Sequence, residues 1–293
     1  LQRAVEEAFG QHRGSVVAMD PNDGAVLAAA SRPVYDPNIF IGGVSAENWR
    51  MLNDDPATPL FNRTVQATYP PASTFKMITG YAGLRTGAIT VSQRLRPCYG
   101  GWQFGNRYFR CWRPEGHGAT NLTEAIVNSC DVYFYQLAER ITADDFAFTG
   151  RMFGLGRTTG IDLPSEAQGI LPDKSYYDRK FGKGRWTRGH LLNYSIGQGD
   201  LLTTPIQLCQ MAAMIANGGK RIRPHVVARV EDAEGVAVYR FDVQAQPVSQ
   251  IDAVALNIIR DAMRLVVAGD QGTGRAAAVA GFSVCGKTGT AQN

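Results

Sequence analysis

Ser73-Thr74-Phe75-Lys76 stands at what reads as the first turn of a helix. A serine hydroxyl attacks a carbonyl only after a base has taken its proton. A lysine three residues on lies one turn away on the same helix face. A partly buried lysine beside other cations gives up its proton, so the pair reads as nucleophile and base. The helix start adds positive potential and free N–H groups where an oxyanion would form. Ser129-Cys130-Asp131 begins 56 residues after Ser73, in the next helical stretch. The Ser129 hydroxyl suits a proton relay between Lys76 and a leaving amine, and Asp131 suits a carboxylate that holds the lysine. Lys287-Thr288-Gly289-Thr290 falls on an expected final strand. There Gly289 lets a ligand backbone approach closely. The lysine and two hydroxyls suit a carboxylate, and an edge strand pairs with an extended peptide. Each motif alone is common in ordinary helices and strands.

A second set of residues suits a metal. Of five cysteines, Cys98, Cys111 and Cys130 join His117 at intervals of 13, 6 and 13 residues. Three thiolates and an imidazole make a complete tetrahedral zinc set, although the intervals differ from the short spacing of common zinc sites. Plain burial of free thiols, or disulfides in an oxidising compartment, are the competing readings. Trp102, Tyr108, Phe109 and Trp112 fit packing around such a clip better than lining of a groove. Cys209 falls on the apolar face of a helix and reads as core.

The elements that must position these groups follow from pattern. Gly14–Asp20 and Ala25–Ala30 read as strands joined by the turn Pro21-Asn22-Asp23-Gly24. Helices are expected from about residue 71 to Gly87, from Leu122 to Ile141, from Thr204 to Gly218 and near 251–268. Residues 98–118 are Gly- and aromatic-rich, with Gly105-Asn106 as a turn, and 154–200 reads as loop-rich. Strands are expected near 224–231, 236–242 and 282–292. The order gives an α/β domain whose sheet is mostly antiparallel and closed by both ends of the chain. At 293 residues, with 44% hydrophobic and 19% charged residues, there is ample apolar material for a core, which excludes a disordered protein. The net charge of +4 comes from scattered basic residues, so nucleic acid is not an expected partner. No uninterrupted apolar stretch is long enough to span a membrane. The chain starts on Leu1 rather than Met, and both ends read as cut, so an anchor upstream is expected to lie outside it.

In this order, S-x-x-K, S-x-[DN] and K-T-G resemble the set found in penicillin-binding proteins and class A β-lactamases. The neighbourhoods sharpen the likeness. Tyr69-Pro-Pro-Ala-Ser-Thr-Phe-Lys76 resembles the nucleophile segment of the high-molecular-weight penicillin-binding proteins. Ser195–Gly199, Thr204–Gln207, Ala216–Gly219, Gly272–Arg275 and Gly286–Gln292 are similar to their later segments, so the likeness runs from residue 14 to 293. Asp131 and Ser129-Cys-Asp-Val-Tyr-Phe-Tyr-Gln136 are most similar to the class B penicillin-binding protein 2 group, the elongation transpeptidases.

That resemblance implies a five-stranded sheet flanked by helices, one transpeptidase domain over 1–293, and a zinc-clipped insertion over 98–130. It implies a membrane anchor and pedestal upstream, and a strand and helix after K-T-G. Ser73 would be the acylated nucleophile, Lys76 its general base, and Ser129 with Asp131 the relay that orients Lys76. Lys287, Thr288, Gly289 and Thr290 would hold the carboxylate of the donor, with N–H groups of Ser73 and Thr290 as oxyanion hole. Cys98, Cys111, His117 and Cys130 would bind a structural Zn2+, with no cofactor in catalysis. Implied partners are peptidoglycan stem peptides, β-lactams, and a SEDS-type glycosyltransferase of the elongation machinery at the inner membrane, with the catalytic domain in the periplasm. Two other readings share the chemistry, a β-lactamase and a β-lactam sensor. The first needs a hydrolytic base, and 154–175 carries no E-x-x-x-N element to supply one.

Overall fold

The computed structural model describes residues 1–291. Helix α1 (Gln2–Phe9) leads into an antiparallel hairpin of β1 (Gly14–Met19) and β2 (Val26–Arg32), closed by the expected turn. Helix α2 (Ala46–Asn53) interrupts the long polar loop that follows. A 3-10 turn over Ala72–Phe75 runs directly into α3 (Lys76–Arg85). A second hairpin, β3 (Gly101–Phe104) with β4 (Arg107–Arg110), turns at Gly105-Asn106 as expected. Next come α4 (Leu122–Val127), α5 (Asp131–Ala138), α6 (Ala143–Met152), α7 (Lys174–Phe181), α8 (Gly189–Ser195) and α9 (Pro205–Ala216). Short strands β5 (Lys220–Arg221), β6 (Arg229–Glu231), β7 (Ala237–Arg240) and β8 (Gln246–Pro247) precede α10 (Ala253–Ala268).

Several helix starts are fixed by side chains that satisfy orphan N–H groups. Asn121 with Glu124, Thr142 with Asp145, and Thr204 with Gln207 form reciprocal caps on α4, α6 and α9, and Pro205 sits in the first turn of α9. Helix α3 has almost no polar face, and Lys76 through Gly83 are all buried. A helix apolar nearly all round belongs in the interior, and α4, α5, α6 and α10 pack around it. Phe75, just before it, stacks on Tyr194 with ring centroids 5.4 Å apart. The first residue of this central helix is therefore a lysine enclosed by core.

Three expectations change. The single helix expected over Leu122–Ile141 is two, because Ser129 takes a left-handed backbone with φ 52°. Its apolar periodicity is continuous, so pattern alone hides the break. A non-glycine residue there costs on the order of 1–3 kcal/mol and persists only when its surroundings demand it. Helices α7 and α8 occupy part of the stretch read as loop, α7 starting where the Asp173 carboxylate accepts from Tyr176 N. The five-stranded sheet does not form among the described residues. These make four separate two-stranded antiparallel ladders and four isolated bridges, one of them parallel, between Ala25 and His225. The segment expected as a strand over 282–292 forms no ladder among the described residues, and Gln292 lies outside them. A strand exists only with a neighbour to close its ladder. Here Gly289 instead lies against the turn that carries Ser73, where a Cβ on it would sit 3.4 Å from Pro71 O and Thr74 Cγ2.

The turn that carries Ser73 has its own clamp. Ala72 N donates to Gly197 O at 2.8 Å, and Gly197 has φ 76°. A Cβ on Gly197 would lie 2.0 Å from Ala72 O. Gly197→Ala is therefore expected to cost about 2 kcal/mol or more, from backbone strain plus overlap. Gly87→Ala is the control, with φ 69° but open space around it, and is expected to cost about 1 kcal/mol. Urea denaturation of the two variants measures the difference.

Candidate active site

Lys76 opens α3 with its side chain wholly enclosed. Its Nζ donates to Asp131 Oδ1 at 2.6 Å, to Ser129 O at 2.8 Å and to Ser129 Oγ at 3.2 Å. An ammonium has three hydrogens, so this set engages all of them. The left-handed Ser129 directs both its carbonyl and its hydroxyl at one amine, which accounts for the helix break. Asp131 starts α5, where the helix dipole favours a carboxylate. Its second oxygen accepts from the backbone N–H of Trp112 at 3.0 Å. The Trp112 indole donates to Asn128 O at 3.0 Å, on the same break. The Phe134 ring lies 5.5 Å from Nζ. Removing two charges from water is repaid only when their remaining polar atoms are also satisfied, and here they are.

The third motif completes the centre. Lys287 Nζ donates to Ser129 Oγ at 2.9 Å, so that hydroxyl lies between two lysines. Thr288 Oγ1 donates to Thr273 Oγ1 at 3.1 Å. Burial lowers the Lys287 amine to about 7, the Lys76 charge pushes in the same direction, and Asp131 partly offsets both. Ser73, half-buried in the turn before Lys76, lines a cavity of about 770 Å³ together with Ser129, Asp131, Thr288 and Thr290. Among the described residues the Ser73 hydroxyl has no hydrogen-bond partner, so it is free to turn toward a bound carbonyl.

All eight residues singled out for chemistry thus meet at one place. Others went unread. Asn193, Gln198 and Thr273 also line the cavity, as do Arg107 and Arg110 of β4. The first three sit in or beside segments already notable in the chain, but polar residues in loops carry no periodic signal. The aromatic reading is corrected in part. Tyr108, Phe109 and Trp112 line the cavity, whereas Trp102 turns away and donates to Glu139 at 2.6 Å.

The second expected cluster also assembles. The ligand atoms of Cys98, Cys111, His117 and Cys130 all lie within 4.8 Å of one another. His117 Nδ1 is 3.8 Å from Cys98 Sγ and 3.6 Å from Cys111 Sγ. The edges of a zinc tetrahedron built from ordinary Zn–S and Zn–N bonds are about 3.6–3.8 Å, and the two His117 edges match them. All five cysteines are free thiols. Within the cage, hydrogen bonds with Cys111 and Cys130 pull the Cys98 thiol far below its ordinary value, and those with Cys111 and Cys98 push the Cys130 thiol far above it.

Residues 14–293 match the family described as the penicillin binding protein transpeptidase domain. The chain belongs to that family. Over its whole length it is 36% identical to the peptidoglycan D,D-transpeptidase MrdA of Acinetobacter baumannii, of which it covers 43%. The chain thus spans less than half of that relative. The structure of a penicillin-binding protein (PBP2) from Helicobacter pylori superposes with TM-score 0.89 at 33% identity, covering 99% of this chain and 53% of that one. The same fit is found for PBP2 in complex with MreC. Penicillin-binding protein A of Mycobacterium tuberculosis, as an imipenem acyl-enzyme, superposes with TM-score 0.83 at 30% identity, covering 98% of this chain and 64% of that one. The mixed α/β fold with antiparallel strands is that of the penicillin-binding transpeptidase family.

The buried pair makes a stability prediction. Asp131→Leu strands the Lys76 ammonium in the core and is expected to cost about 3–5 kcal/mol. Adding Lys76→Met removes the stranded charge, so the double variant should be more stable than Asp131→Leu alone. A double-mutant cycle by urea denaturation checks this.

Proposed function

We propose that this domain is a peptidoglycan D,D-transpeptidase that works through an acyl-enzyme on Ser73. The observation that carries the reading is the single network Asp131–Lys76–Ser129–Lys287 beside the unengaged Ser73 hydroxyl. The substrate is a stem peptide ending in D-Ala-D-Ala. Ser73 Oγ bonds to the carbonyl carbon of the penultimate D-Ala, and its proton passes to Lys76, which acts as base in the molecules whose ammonium has first released a proton to solvent. Ser129, hydrogen-bonded to both lysines, passes a proton to the leaving nitrogen as the C–N bond breaks. Terminal D-Ala departs. An amine of a neighbouring stem peptide then attacks the ester, loses its proton along the same path, and frees Ser73. Lys287, Thr288 and Thr290 hold the donor carboxylate, and Gly289 gives its backbone room. N–H groups of Ser73 and Thr290 stabilise the oxyanion, each worth about 2.7–4 kcal/mol. A β-lactam mimics the donor and stays attached.

The β-lactamase reading lacks a base. Among the described cavity-lining residues the only carboxylate is Asp131, and both its oxygens are engaged. Glu166, in the 154–175 stretch, accepts instead from Thr159 N and Gly160 N. The names of the relatives support the transpeptidase reading over a sensor.

The same proposal extends to the clip and the setting. Cys98, Cys111, His117 and Cys130 would hold one structural Zn2+, which when bound cross-links a Gly-rich insertion that has little core of its own. Three thiols crowded together share protons at a cost, and a divalent cation that keeps all three as thiolates removes it. Cys130 would thereby fix its neighbours Ser129 and Asp131. The whole protein would act in the periplasm at the inner membrane, in an assembly with an MreC-like scaffold and a SEDS-type polymerase. The complex of H. pylori PBP2 supports the first partner. No helix among the described residues is long and apolar enough to cross a membrane.

Fluorescent penicillin should label wild type covalently and Ser73→Ala not at all, and the label should persist for many minutes to hours. Rapid turnover of the antibiotic would favour the β-lactamase reading. The second-order acylation constant reports the free enzyme. It should fall as pH rises through about 7, because Lys287 then loses the charge that holds a carboxylate. In Lys287→Arg that falling limb should vanish, since a guanidinium keeps its proton. Elemental analysis of protein purified without added metal should find one zinc per chain. Cys111→Ser should lower both zinc content and melting temperature, and intact metal-free protein with disulfides would refute the clip.

A further inference from the structure

We propose that β4 forms a second anion-recognition wall of the active-site cavity, on which Arg107 and Arg110 bind a carboxylate carried by the donor peptide upstream of its D-Ala-D-Ala end. This rests on the transpeptidase reading and names which peptides the site takes. Both arginines line the same cavity as Ser73, Thr288 and Thr290. Two basic residues nearby have carboxylate partners, as Arg94 pairs with Glu124 and Arg113 approaches Glu115. Arg107 and Arg110 have none among the described residues, and no lining carboxylate is open to them. Asp131 is the only one described, and Lys76 and Trp112 N–H occupy it.

The wall is built rather than loose. The Arg107 guanidinium lies 4.8 Å from the Phe109 ring centroid, and Phe109 is buried. A guanidinium laid on an aromatic face keeps its edge N–H groups free for a bidentate carboxylate. Arg110 is held through its backbone, whose carbonyl accepts from the Tyr135 hydroxyl at 3.1 Å, and Cys111 N donates to Gly100 O at 2.9 Å. Tyr108 lies across Gly101, where a Cβ would fall 2.4 Å from its hydroxyl. The glycine therefore leaves room for the ring. With Lys287, bonded to the lining Ser129, and the two threonines gripping the terminal carboxylate, positive groups stand on two elements at the cavity. A peptide with one carboxylate satisfies only the first.

The test uses D-Ala-D-Ala peptides that differ only in glutamate or glutamine at the third or fourth residue from the end. Protection of Ser73 from fluorescent penicillin measures binding, and D-Ala release measures acylation. In wild type the acidic peptide at one of the two positions should be preferred about tenfold, the scale of one charge-assisted contact. The preference should shrink in high salt, because the arginines are exposed. In Arg107→Gln with Arg110→Gln the ratio should fall to near one, with an unchanged melting temperature. Equal use of both peptides by wild type, a ratio that survives in the double variant, or an effect confined to the acceptor amine would overturn the proposal. Absence of penicillin label on wild-type Ser73 would instead defeat the transpeptidase reading beneath it.

Discussion

A lysine ammonium enclosed in a protein core is tolerable only if every one of its hydrogens meets an oxygen. Lys76 is such a group, and the rest of the centre is arranged around that demand. One oxygen belongs to Asp131 and two belong to Ser129. To supply both, residue 129 must leave the helix and take a backbone conformation that a serine disfavours. The break between α4 and α5 is thus a consequence of burying Lys76, and the same break exposes the Ser129 hydroxyl to Lys287 from the other side.

The insertion between α3 and α4 takes part in this arrangement. Asp131 must not rotate away from Lys76, and the backbone N–H of Trp112 fixes its second oxygen. Trp112 follows Cys111, and Asp131 follows Cys130, so two of the four clustered donors are chain neighbours of the two partners in that contact. The hairpin before Cys111 continues as one wall of the cavity. A segment with little apolar core of its own therefore reaches the nucleophile at two places, through the orientation of Asp131 and through the side chains of β4.

Much of this was legible in the chain because chemistry in this fold sits in short local motifs. Ser73 and Lys76 are one helical turn apart, and capped helices such as α9 announce themselves through Thr204, Pro205 and Gln207. The Gly105-Asn106 hairpin was equally plain. What stayed hidden depends on tertiary context. The apolar period through residues 122–141 says helix throughout, and nothing local reveals that an amine 53 residues earlier requires Ser129 to turn out of it. Sheet membership was misread for a related reason. The strands were placed by composition, but pairing is decided by which segment lies alongside, and within 282–291 Gly289 lies against the turn that carries Ser73 while Gly286 N donates to Met263 O of α10. Arg107 and Arg110 carry no local signal, because what distinguishes them is a cavity that only the folded chain creates.

The central claim is that Lys76, held by Ser129 and Asp131, serves a nucleophile at Ser73. A high-resolution crystal structure of the protein reacted with a slowly released β-lactam tests it most directly. The account predicts an ester on Ser73 Oγ, with Lys76 Nζ still within hydrogen-bond reach of Asp131 and Ser129 and the drug carboxylate against Lys287, Thr288 and Thr290. An acyl group on any other residue, or a Lys76 amine swung away from Ser129 and Asp131, would contradict it.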